Sequence, residues 1–194
     1  MNHFSPDQPL PHRLSQNLIL GAICLPAALI LAPATWAQEK HPISVSGEGA
    51  KGRYVQQYII DVDDVPGHQI RINEIQRTYA PDKQAEIAGE RIVETWSRSL
   101  TNYISGIGPV LAAYNTWITD KGNKIFMEGT GTSESQVTET GSKRGTYHGT
   151  SRFVGGTGRF AKIRGTLVEV SEFDTDPKTG YNRVDSHGQY WFEE

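Results

Sequence analysis

From Arg53 onward, short β-branched and aromatic runs alternate with clusters of Gly, Asp, Asn and Pro, the pattern of strands joined by hairpins. Asp63-Asp64-Val65-Pro66-Gly67 divides the run 54–62 from the run 69–79. Asp120-Lys121-Gly122-Asn123 divides 113–119 from 124–130, and the apolar flanks on both sides make it the clearest hairpin turn in the chain. Gly155-Gly156-Thr157-Gly158 separates 145–154 from 163–172, and a last turn signal at 174–180 precedes the run 181–192. With a short leading strand at 43–46, these runs predict about eight strands. An all-β, antiparallel β-barrel suits that count, because closure removes exposed edges. A two-sheet sandwich is the alternative arrangement.

One segment carries two signals. Ala85, Ala88, Ile92 and Trp96 are spaced by three and four, a helical period. Gly89 interrupts it, and 92–96 is rich in strand formers. The segment is expected to make a turn or a single helical turn around 81–89, then a strand from about Arg91.

The N-terminal part reads differently. A polar stretch with Arg13 leads into an apolar run of 14 residues, 18–31, and then into small residues ending at Ala37. This is the layout of a cleaved secretory leader. The run is shorter than the roughly 18–20 apolar residues that span a bilayer, and Pro26 interrupts it. Cleavage after Ala37 is expected, leaving 38–194 as a single domain, secreted or periplasmic and without a membrane anchor. The sole cysteine, Cys24, leaves with the leader, so the mature chain is expected to have no disulfide, thiolate ligand or cysteine nucleophile. A transmembrane barrel is disfavoured, because both phases of the strand starting at Arg164 carry polar groups where an apolar outer stripe would be required.

A net charge of −3 and scattered Lys and Arg give no basic face for nucleic acid. No cofactor is expected either. The 155–158 loop lacks the Lys-Ser or Lys-Thr of a phosphate-binding loop. Asp61 to Asp64 and Asp174 to Asp176 begin like calcium loops, but Ile72 and Lys178 occupy positions that need oxygen ligands. His41, His68, His148 and His187 are too far apart in sequence to form a ligand pair, and no metal site is expected.

Residues 145–166 read GTYHGTSRFVGGTGRFAKIRGT. The stretch from Val154 to Gly165 resembles the glycine hairpin of the allene oxide cyclase and dirigent β-barrel superfamily, and 119–126 resembles the hairpin before it in bacterial members. Glycines there allow a tight turn, Phe153 and Phe160 flank it, and Gly165 permits close backbone approach. The resemblance implies the barrel fold, a small apolar or phenolic ligand, and a homo-oligomer, trimer or dimer. It implies an isomerase, cyclase or stereo-directing activity, but brings no catalytic residue onto particular positions. A noncatalytic carrier and a solid structural barrel are the alternatives.

The candidate chemistry is aromatic and acidic. Glu94 and Trp96 share one strand phase, Phe126 and Glu128 share another, and Tyr147 sits beside His148. If these phases point inward, carboxylates lie among aromatic walls, where desolvation raises their pKa and suits them to acid or base work. Glu94, Glu128 and Tyr147 are then the catalytic candidates, with Trp96, Tyr103, Trp117, Phe126 and His148 binding the ligand. If the other phase points inward, Val93, Ile125 and Met127 take the interior instead.

Overall fold

The computed structural model describes residues 38–46, 50–137, 139, 141, 143–174 and 182–194. The expected leader, with Cys24 and the cut after Ala37, lies outside them, as does most of the 174–180 turn. Ten strands form: β1 (His41–Ser46), β2 (Lys51–Asp61), β3 (His68–Thr78), β4 (Glu86–Ile87), β5 (Glu90–Ile104), β6 (Ile107–Thr119), β7 (Lys124–Val137), β8 (Lys143–Gly156), β9 (Ile163–Asp174) and β10 (Asn182–Phe192). All pairings are antiparallel, in the order β1-β10-β9-β8-β7-β6-β5-β3-β2, with β4 beside β5. Strand β7 runs seven residues past the expected end, because its Gly, Thr and Ser residues stay in the ladder with β8.

The expected all-β antiparallel architecture holds, with ten strands in place of about eight. The ladder is open between β1 and β2, yet the sheet is rolled. At Gly52 on β2, an added Cβ would lie 3.2 Å from Asn182 Nδ2 on β10, near the opposite end of the ladder.

The ambiguous segment resolves as a 3-10 turn at Pro81–Lys83 followed by the β4–β5 hairpin. Ala88 and Gly89 both take left-handed φ, 49° and 77°, as a tight two-residue hairpin requires. The helical spacing does not produce a helix: Ile92 and the hairpin's Ala85 and Ala88 pack on the core.

Two different interiors follow from the register. At one end, Ile125 and Met127 of β7, Phe153 of β8, Ile163 and Leu167 of β9, Tyr190 of β10, and Ile43 and Val45 of β1 form the apolar core. Phe160, fully buried, plugs this end from the 3-10 turn of the glycine hairpin. Trp117 meets Phe153 edge to face, centroids 5.8 Å apart, a favoured aromatic geometry. Farther along the same strand phases, the inward residues change character. They become Ser133 on β7, Ser151 on β8, Glu169 and Ser171 on β9, and Ser186 and Asn182 on β10, all buried.

Candidate functional site

Glu169 is the centre of this polar layer. Strand alternation carries the inward phase of β9 from Ile163 through Gly165 and Leu167 to Glu169, which is 9% exposed. Ser151 Oγ donates to Glu169 Oε2 at 2.5 Å. Ser186 lies directly across the ladder from Glu169, and its buried hydroxyl faces the same carboxyl. From the opposite wall, β3 sends Arg71, Asn73, Ile75 and Arg77 inward, in register with Thr101, Ser99, Ser97 and Thr95 of β5. Arg77 Nη1 donates to Ser97 Oγ at 3.1 Å, while its buried Nε is unpartnered among the described residues. The buried Asn182 Oδ1 is unpartnered in the same way.

Three phenols complete the layer. Tyr147 Oη donates to Thr130 O at 3.2 Å. Its ring crosses Gly131 and Gly149, where an added Cβ would fall 2.6 Å and 2.0 Å from ring or hydroxyl atoms. These glycines therefore leave the space that Tyr147 occupies. Tyr103 carries Arg71 over its ring face, 5.4 Å from the centroid. Tyr54 of β2 is aligned with Ile75 on the inner phase. Tyr54 and the inner-phase Ile59 are 49% and 48% exposed, so the inner face opens to solvent along β2.

The electrostatics follow from burial. Burial pushes the Glu169 carboxyl above its ordinary range, and the Ser151 hydrogen bond, the Arg77 charge and the Ser186 hydrogen bond only partly oppose this. Burial also raises the Tyr147 phenol, with Glu169 and Tyr103 adding to the effect. Tyr54 is raised by burial against the pull of Arg77. The layer thus holds a carboxyl whose ionisation is disfavoured relative to one in water, three phenols and two guanidinium groups.

The expected site residues divide between the two faces. Tyr147 and Tyr103 lie in the inner layer, and Trp117 is inside but within the apolar core. Glu94, Glu128, Trp96, Phe126 and His148 lie on the outer phase, a correction to the inward phase considered for them. The physical reason is that Ile125 and Met127, both fully buried, take the inner phase of β7. On β5, a bulge at Val93 shifts the inward position to the buried Thr95. On the outside, Glu94 accepts hydrogen bonds from Trp96 Nε1 and, at 3.0 Å, from Gln76 Nε2. Glu128 pairs with Arg152 at 2.6 Å, and Tyr114 stacks on Phe126. Trp96, Arg98, Thr116, Ile118, Lys124 and Phe126 line an outer cleft of about 340 Å³.

Glu169 was visible in the sequence only as one polar residue of an alternating strand. Its neighbours Val168 and Val170 look like the core-facing phase, yet they are 47% and 37% exposed. The available signal was the phase of Leu167, which continues from Ile163 and Gly165.

No family model and no curated protein match the chain. Among solved structures, it is similar to the pterocarpan synthase dirigent protein GePTS1, at 12% identity and a TM-score of 0.36, over 89% of this chain and 99% of that one.

Proposed function

We propose that the inner polar layer binds a small apolar or phenolic molecule, with Glu169 as an acid toward a ligand oxygen. The carrying observation is a buried carboxyl beside two buried polar atoms, Arg77 Nε and Asn182 Oδ1, that have no partner among the described residues. Unmet buried groups of this kind cost stability, and a ligand that satisfies them recovers the cost. A neutral carboxyl donates a hydrogen bond to a carbonyl, enol or epoxide oxygen. In an isomerisation or ring closure it gives up the proton and takes one back, so no co-reactant is consumed. Tyr147, Tyr103 and Tyr54 supply aromatic faces, and a stereo-directing role needs only that they hold one face of the ligand covered. The same layer without proton transfer is a carrier.

Native mass spectrometry of the chain purified from its own host tests binding. A small organic molecule travelling with the wild type is expected, and less of it with Glu169→Gln. A wild type that carries no adduct and gains no thermal stability from a panel of aromatic and apolar compounds would overturn the reading.

A further inference from the structure

The charge of the inner layer points to a narrower ligand class, an inference that rests on the proposed binding role. Two guanidinium groups face inward from β3. Arg71 donates to Gln69 Oε1 and lies over Tyr103, and neither Arg71 nor Arg77 makes an ion pair among the described residues. Glu169 is the buried carboxyl of this layer, with no ion pair to Arg77, and the exposed Asp61 at the edge of the same phase accepts from Gln69 Nε2 at 2.7 Å. Arg77 converges with Asn182 at Gly52, where an added Cβ would lie 3.7 Å from Arg77 Cγ and 3.2 Å from Asn182 Nδ2. The absence of a side chain at Gly52 lets both residues pack close to β2.

The unmet groups have defined polarity. Arg77 Nε is a donor only and Asn182 Oδ1 an acceptor only. Asn182 is 8% exposed, so bulk water does not serve it as it would a surface group. A ligand that completes this set carries a negative group for Arg77 and a hydroxyl or N–H for Asn182. Its body is flat enough to lie against Tyr54, Tyr103 or Tyr147.

We propose that the inner layer takes a hydroxy-substituted aromatic carboxylic acid, with its carboxylate seated on Arg77 and its hydroxyl donating to Asn182 Oδ1. A planar guanidinium is the side chain suited to a carboxylate. A neutral ligand of the same shape would offer the buried Nε of Arg77 no charged acceptor. The carboxylate is therefore the part of the ligand that discriminates.

Calorimetric titration of the wild type tests this with 4-hydroxybenzoate, 3-hydroxybenzoate and 4-hydroxyphenylacetate, each against its methyl ester. The ester keeps ring and hydroxyl and removes the charge. At least one acid is expected to bind about tenfold or more tighter than its ester, the scale of one charge-assisted hydrogen bond. Arg77→Met is expected to abolish that difference. Asn182→Leu is expected to abolish the preference for 4-hydroxybenzoate over benzoate and to leave the acid-to-ester ratio intact. Acids and esters binding equally well would overturn the anionic ligand while leaving the binding role standing. Failure of every compound to bind would overturn both. The comparison of acid with ester uses the wild type, so it holds even where a variant does not fold.

Discussion

Ser151 and Glu169 meet diagonally across the β8–β9 ladder. Ser151 pairs with Leu167, yet its hydroxyl reaches the carboxylate two residues further along β9, at 2.5 Å. Diagonal contacts of this kind lie within reach of longer side chains on one face of a sheet. The bond holds Glu169 against the β8 wall on the inner face of the rolled sheet, where the residue is 9% exposed.

Burial of Glu169 has a pH consequence with a definite sign. Its folded pKa lies above its ordinary value of 4.5, so between the two values the native state holds a proton that the unfolded chain has released. Stability from this group therefore falls as pH rises through that window, by up to about 1.4 kcal/mol per pH unit. Glu169→Gln removes the dependence. Urea unfolding from pH 4 to 8 is expected to show the variant gaining on the wild type as pH increases, and a constant difference would contradict a raised carboxyl.

His68 offers the opposite kind of group. Its Nδ1 lies 2.5 Å from Asp64 Oδ1 and its Nε2 lies 2.6 Å from Asn102 Oδ1. The Asp64 bond, then the Asn102 bond, raise the imidazole above 6.5. Its contribution to stability is whole below 6.5 and is lost as pH rises through the folded value. In an NMR titration, Asp64→Asn is expected to move the His68 midpoint down toward 6.5. No movement would show that Asp64 does not hold the ring.

At the apolar end, Glu90 is 2% exposed and accepts from Thr119 Oγ1 at 2.6 Å and from Asn123 Nδ2 at 3.0 Å. Burial opposes its ionised form, but these bonds, with Lys121 and Arg159, outweigh burial and leave the carboxyl below its ordinary range. The cluster ties the β4–β5 hairpin to the β6–β7 turn. Glu90→Ala strands both donors, and a loss of about 2 kcal/mol or more is expected in chemical denaturation. A change within about 0.5 kcal/mol would mean that solvent replaces the carboxylate.

Gly165 lets the β9 backbone approach β10 closely. It takes φ 145°, and a Cβ there would sit 2.1 Å from Gln189 O and 2.7 Å from Tyr190 Cα, both backbone atoms of β10. Gly165→Ala has no rotamer that relieves the clash, and a loss of about 3 kcal/mol or an unfolded chain is expected. Gly122→Ala meets nothing within 4 Å at φ 78°, and only the left-handed backbone cost of about 1–2 kcal/mol is expected. Thermal midpoints of the two variants check the order.

The turns were legible in the sequence because turn chemistry is local. Asp120-Lys121-Gly122-Asn123 and Gly155-Gly156-Thr157-Gly158 stand where the chain reverses. The phase of the strands was not legible, because the interior is apolar at one end and polar at the other. On β3, Ile72 is 53% exposed while Asn73 beside it is 6% exposed, the reverse of what hydrophobic patterning predicts. Tyr147 was found because an aromatic residue among glycines stands out. Arg77 and Asn182 were not, since their meeting depends on the rolling of the sheet, which brings β3 and β10 face to face.

The open ladder also orders events during synthesis. Apart from β4, which pairs with β5 alone, strands β2 to β10 pair with their neighbours in sequence, so each finds its partner through a short loop closure. Strand β1 pairs with β10 alone, Ile43 opposite Gly188 and Val45 opposite Ser186. The first strand to leave the ribosome must wait, unpaired and with two core residues uncovered, until the last has been made.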